Sequence, residues 1–129
     1  MIRGTSTQFT FKLPFPKREL QWATIKFWQP HNTSTLLPIT KKLEDCDAPD
    51  DFEGLCISLN GEETARFLDK FRANVQLRAQ HINGTIFGVR PQFITVYPMN
   101  DNIIEEDPTM PPNNATGLII FDGDEIMGQ

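Results

Sequence analysis

The chain of 129 residues is poor in the residue types that most chemistry needs: two cysteines, two histidines and one tyrosine. His31 sits in a Pro-Asn-Thr-Ser setting and His81 precedes an Asn-Gly turn, so nothing in the sequence draws them together, and both read as exposed polar residues. Cys46 and Cys56 stand at no metal-ligand spacing, which argues against structural zinc. No glycine-rich loop opens a helical pattern, so no phosphate cradle is implied. Ser6, Ser34 and Ser58 lack the strand-turn-helix setting of a nucleophile elbow. No catalytic residue, metal ligand or cofactor site is therefore expected, and the chain reads as a non-enzyme. A run of about 18 apolar residues is also missing, so no helical membrane span is expected. The start, Met1-Ile2-Arg3-Gly4-Thr5, lacks the apolar stretch of a secretion signal. It reads as mature and intracellular, which predicts reduced cysteines and makes the Asn-X-Ser/Thr triplets at Asn32, Asn83 and Asn114 chance matches.

Charge of one sign is missing from one end. Residues 100–129 hold seven acidic residues (Asp101, Glu105, Glu106, Asp107, Asp122, Asp124 and Glu125) and no lysine or arginine. All twelve basic residues lie in the first 99 positions beside ten acidic ones, so the end of the chain accounts for the net charge of −5. This balance excludes a generic nucleic-acid binder, which needs a concentrated positive field. Pro108, Pro111 and Pro112 oppose regular structure in the same region. The sequence thus divides into a domain over 1–99 and an acidic, proline-containing tail over 100–129.

Within the domain the dominant signal is period two. Phe9, Phe11, Leu13 and Phe15 alternate with Gln8, Thr10, Lys12 and Pro14. Ala23, Ile25 and Phe27 alternate with Trp22, Thr24, Lys26 and Trp28. Leu37, Ile39, Lys41 and Leu43 form a weaker strand interrupted by Pro38, and Leu55, Ile57 and Leu59 form a fourth. The period changes at Asn60, where Glu63 three residues on completes a capping box and predicts one or two helical turns ending in Phe67. Val75, Leu77 and Ala79 then alternate cleanly up to Asn83-Gly84, which predicts a two-residue type I′ hairpin. Ile86, Phe87 and Val89 return, Arg90-Pro91 interrupts, and Phe93 to Tyr97 end the domain. These features predict an all-β fold: an immunoglobulin-like antiparallel β-sandwich of about seven strands with one short helical turn and an extended acidic C-terminal tail. A small barrel or jelly roll is the competing architecture. The expected core includes Phe9, Phe11, Leu13, Ile25, Phe27, Ile57, Leu59, Phe67, Val75 and Leu77.

Three features stand out as candidate contacts. Trp22 and Trp28 share the parity opposite to the core positions of their strand, so they either mark a contact surface, carbohydrate stacking being one variant, or lie under loops or the tail. The loop over 44–53 concentrates six carboxylates. It reads as a solvated acidic loop, with calcium binding as the lesser alternative because the spacing is not that of an EF-hand. The tetrad Leu118-Ile119-Ile120-Phe121 is too short to fold alone and must dock on its own sheet or as an added strand on a neighbour. The seventeen residues from 100 to 116 could span about 50 Å when extended. The candidate partner-binding residues are thus Trp22, Trp28, Leu118, Ile119, Ile120 and Phe121.

Residues 1–97 resemble a family of small, mostly uncharacterised β-proteins encoded by tailed bacteriophages and prophages. The resemblance rests on Met1-Ile2-Arg3-Gly4-Thr5-Ser6-Thr7 running into Phe9-Thr10-Phe11-Lys12-Leu13-Pro14-Phe15. It continues through Ile57-Ser58-Leu59-Asn60-Gly61-Glu62-Glu63-Thr64 with Phe67, and through Val75-Gln76-Leu77-Arg78 before the Asn83-Gly84 turn. It implies a virion structural protein, made in the host bacterial cytoplasm, that acts as an accessory or adaptor of head, neck or tail. Its expected partners are other virion proteins and copies of itself, with no nucleic acid and no membrane. The alternatives are a phage-encoded intracellular binding or inhibitor module and a carbohydrate- or receptor-binding domain. The acidic tail departs from the family pattern.

Overall fold

A computed structural model describes residues 1–49, 51–69, 71–98, 118–121 and 126–127. The chain is all-β with little helix. Its strands are β1 (Thr7–Lys12), β2 (Leu20–Trp28), β3 (Ile39–Lys42), β4 (Gly54–Leu59), β5 (Ala73–His81), β6 (Ile86–Val89), β7 (Gln92–Ile94), β8 (Leu118–Phe121) and β9 (Ile126–Met127). They form two sheets, one of order β4-β1-β8 and one of order β3-β2-β5-β6-β9, in which β7 also pairs with β5. The longer strands β1, β2, β4 and β5 form where bulky apolar residues alternate with polar or small ones. The inward set (Phe9, Phe11, Ile25, Phe27, Leu55, Leu59, Val75, Leu77) is almost fully buried. All ten core residues expected from the alternation are buried. Phe9 of one sheet meets Phe27 of the other with ring centroids 4.9 Å apart and tilted 55°, a favourable edge-on contact at the centre of the core.

The capping box forms as its spacing requires. Asn60 Oδ1 accepts from Glu63 N at 2.9 Å, and Glu63 Oε1 accepts from Asn60 N at 3.0 Å, opening the single turn α1 (Gly61–Thr64). Burial alone would raise the Glu63 carboxyl. The Lys41 ammonium, 2.8 Å away, and the Asn60 N–H outweigh it and hold the group below the ordinary carboxylate value. Beyond α1 the chain crosses from β4 in one sheet to β5 in the other, with Phe67 fully buried on the way. This crossover has a polar lining. Buried Gln29 donates from Nε2 to Leu68 O and Phe71 O, both at 2.8 Å. Its Oε1 accepts from Leu68 N at 2.7 Å and from Asn32 Nδ2 at 2.8 Å. On the other side Arg3 donates to Phe67 O and Ala65 O, and Thr64 Oγ1 accepts from Gly4 N and donates to Thr5 O.

Several local expectations are corrected. The hairpin after β5 has three loop residues: Gln80 faces Ile86, His81 N donates to Thr85 O, and Gly84 N donates to His81 O. Of the Asn83-Gly84 pair only Gly84 has positive φ, +98°, so the loop is a turn closed by a left-handed glycine and not type I′, which needs positive φ at both residues. The last strand is shorter than the run to Tyr97. It ends at Ile94, opposite Ala73 at the start of β5, beyond which no β5 partner exists, and Tyr97 bridges Ile2 in parallel instead. Strand β1, by contrast, stops at Lys12, before Pro14, as that proline's limit on the strand end leads one to expect. His81 is not a free polar residue: its Nε2 lies 3.0 Å from Glu19 Oε1, and its ring packs on Phe15. Both cysteines are free. Burial pushes the Cys46 thiol up to about 11, against the opposing pull of Lys17, so it stays protonated at neutral pH.

One strand pair departs from the antiparallel pattern. β8 runs parallel to β1, with Gln8 opposite Leu118, Phe9 opposite Ile119, Thr10 opposite Ile120 and Phe11 opposite Phe121. Parallel neighbours need a long connection, and here all of β2 to β7 lies between the two strands in sequence. β9 then pairs antiparallel with β6, so the end of the chain adds a strand to each sheet. The backbone pairing of residues 118–121 and 126–127 therefore lies across the expected division at 99/100.

Two glycines separate turn strain from close packing. Gly84 has open space where a Cβ would stand. Gly54, at φ +152°, would place a Cβ 2.1 Å from Phe11 O, within the β1–β4 pairing. Gly84→Ala is expected to cost about 1 kcal/mol, from backbone strain alone. Gly54→Ala is expected to cost at least about 2 kcal/mol because the strand pair must open. Urea unfolding of both variants checks the order, and equal costs would contradict it.

Candidate docking face

The outer face of the six-stranded sheet gathers residues from strands far apart in sequence. Direct pairing puts Trp22 beside Gln80, Thr24 beside Arg78 and Lys42, Lys26 beside Gln76 and Thr40, and Trp28 beside Asn74. Asn74 in turn faces Phe93 of β7. Paired residues of an antiparallel sheet share a face, so these side chains form one surface, opposite the buried Ala23, Ile25, Phe27, Val75, Leu77 and Ala79.

The two indoles are half-buried and held by amides of the neighbouring strand. Trp22 Nε1 donates to Gln80 Oε1 at 2.8 Å, and Gln80 Nε2 donates to Gly84 O at 3.1 Å, which fixes the amide. With the Asn74 amide oriented to satisfy both its ends, its oxygen accepts from Trp28 Nε1 at 3.1 Å. The tryptophans thus lean on the sheet and frame the strip between them. That strip carries Lys26 and Arg78, both exposed, with Lys42 exposed on β3. Among the described residues none of the three forms an ion pair. At the Trp28 end, exposed Phe93 carries the Arg72 guanidinium 4.7 Å above its ring. Grooves of about 510 Å³ and 320 Å³ flank Trp22. Lys17, Lys42 and Glu44 line the first, and Lys26, Gln76 and Arg78 the second. Glu44 is the single carboxylate in the two linings, so the face is cationic on a chain whose net charge is negative.

The two sets of residues singled out from sequence are not brought together. Trp22 and Trp28 lie on this face, whereas Leu118, Ile119, Ile120 and Phe121 form β8 on the edge of the other sheet. The acidic loop is tied to the chain around it at two described points. Asp47 and Cys56 exchange backbone hydrogen bonds at 2.8 Å, and Asp45 Oδ2 accepts from Lys42 N at 2.9 Å. Asp50 lies outside the described residues, and among those described no three His, Cys, Asp or Glu side chains converge. The alternation alone did not single out Lys26, Lys42, Gln76 and Arg78. Their signal was the polar parity of β2 and β5, which becomes a site only once those strands are known to be neighbours.

No protein-family model, no curated protein and no solved structure matches the chain.

If the indoles belong to a contact surface and not to the core, their removal is cheap. Trp22→Ala is expected to lower stability by about 1–2 kcal/mol, for one neutral hydrogen bond and part of a ring's burial. Phe27→Ala should cost about 3–5 kcal/mol. Chemical denaturation of both variants makes the comparison, and a Trp22→Ala cost equal to that of Phe27→Ala would place the ring in the core.

Proposed function

We propose that the chain is a non-enzymatic assembly protein of the phage virion class, an accessory or adaptor of head, neck or tail that holds its neighbours through strand addition and sheet faces. The observation that carries this reading is the placement of β8. A strand that follows a long connecting segment lies parallel on the edge of β1, and the same edge would accept the equivalent strand of a neighbouring copy. Main-chain hydrogen bonds would give such a contact its strength, and the apolar tetrad its selectivity. The resemblance of residues 1–97 to tailed-phage β-proteins supplies the virion setting.

We also read the sandwich as immunoglobulin-like. The order β3-β2-β5-β6 matches C′-C-F-G of a variable-type domain, and the antiparallel pair β1–β4 matches B–E. Two departures stand against the antibody pattern. Cys46 and Cys56 form no inter-sheet disulfide, and the tryptophans of β2 occupy the outer face instead of the core.

Mass spectrometry of particles purified from the producing cell tests the reading. The protein is expected at stoichiometric level in the particles, and a chain ending at residue 99 is expected to be incorporated at least tenfold less well. Absence of the full chain from the particles would overturn the virion reading. Equal incorporation of the shortened chain would overturn the role of β8.

A further inference from the structure

We propose that the cationic, tryptophan-framed face of the six-stranded sheet is the receiving surface for the acidic segment 101–107 of a second copy of this chain. The inference rests on the assembly reading above and names the contact by which copies would be held.

Three observations carry it. The first is the chemistry of the face. Lys26, Lys42 and Arg78 stand exposed on adjacent strands, two of them bordering the groove beside Trp22, and no described carboxylate pairs with them. Three cations with no carboxylate partner among the described residues, on one sheet face, attract an extended anion, and the grooves beside Trp22 offer apolar walls to side chains lying between its charges. The second is the segment itself, Asp101-Asn102-Ile103-Ile104-Glu105-Glu106-Asp107. It has four carboxylates, no cation, and two isoleucines between the charges. Its composition complements a surface that has lysine and arginine between aromatic rings. The third is the division of charge along the chain. The first 99 residues carry twelve basic and ten acidic residues, the rest seven acidic and no basic ones. Copies that dock tail to face would bring opposite charges together, whereas face-to-face or tail-to-tail contacts would repel. Such a contact closes a pair where two copies exchange segments reciprocally, and builds rings or extended arrays where the face of one copy takes the segment of the next.

Charge exchange on the full chain tests this directly. Sedimentation velocity would compare the wild type with a face variant, Lys26→Glu with Arg78→Glu, and a segment variant, Glu105→Lys with Glu106→Lys. An equimolar mixture of the two variants is the fourth sample. The substituted face positions are exposed, so circular dichroism should show both variants folded; zero-length carbodiimide cross-linking of mixed light and heavy-isotope wild-type copies gives a second readout that needs no substitution. The expected result is self-association of the wild type that weakens with salt, at least tenfold weaker association of each variant alone, and recovery in the mixture. Cross-links should join Lys26 to the 101–107 segment between light and heavy copies. A wild type that stays monomeric at high concentration, or variants that associate as well as the wild type, would overturn the proposal. Cross-links confined to single copies would do the same. Capture of a dT20 oligonucleotide by the wild type and not by the face variant, without association of copies, would assign the face to nucleic acid and overturn it as well. None of these failures touches the particle composition, which reports on the virion reading separately.

Discussion

The side-chain amide of Gln29 is the interaction on which the two-sheet arrangement depends. To pass from β4 to β5 the chain must cross the end of the sandwich, and there the described backbone of residues 65–69 pairs with no strand. An unpaired buried carbonyl or N–H costs about 1–3 kcal/mol, so several left open would cancel much of a small domain's stability. Gln29 occupies all its hydrogen-bonding capacity on this crossing, with two carbonyls, one N–H and the Asn32 amide. Arg3, Thr64 and the capping box hold it from the other side. With the crossing fixed, Phe67 closes the core and β5 lies beside β2. That pairing in turn creates the surface on which the tryptophans and cations meet.

The second constraint is the sheet edge. A strand with one unpaired side is a template for any other strand, and proteins cover or disrupt such edges. Here β1 and β6 would each present one, and the chain end supplies β8 to the first and β9 to the second. Few residues do this work, four in β8 and two in β9, so their hold on the sheets is modest compared with the nine-residue β2 and β5. A short strand on a long connection is suited to exchange between copies. The same feature that closes the edge within one molecule can join two, at a cost set mainly by the entropy of the connection.

Much of the fold was legible because local signals agreed with the long-range outcome. Phe9, Phe11, Ile25, Phe27, Val75 and Leu77 alternate strictly, and a strand with one buried face has little choice of orientation. Asn60 and Glu63 announced their turn because a capping box involves only residues three apart. The Asn83-Gly84 pair located the hairpin but not its type, since one loop residue more or less leaves the flanking alternation intact. Gln29 gave no signal between Trp28 and Pro30, as its partners lie about forty positions away. The face was half legible for the same reason. Parity exposed Trp22 and Trp28 on one strand, while Arg78 and Lys42 joined them only through the pairing of strands distant in sequence. The tetrad at 118–121 was recognisable as something that must dock, but its parallel register on β1 is a non-local fact.

The central claim, that the end of the chain completes the edge of β1, is tested most directly by native-state hydrogen exchange on the full chain and on Ile120→Pro. Proline removes a donor from the strand and resists a paired position. If β8 pairs as described, alternate amides among residues 8–11 are protected in the full chain and lose at least tenfold of that protection in the variant. Those of β5, on the other sheet, should stay unchanged. Equal protection of the β1 amides in both proteins would contradict the claim.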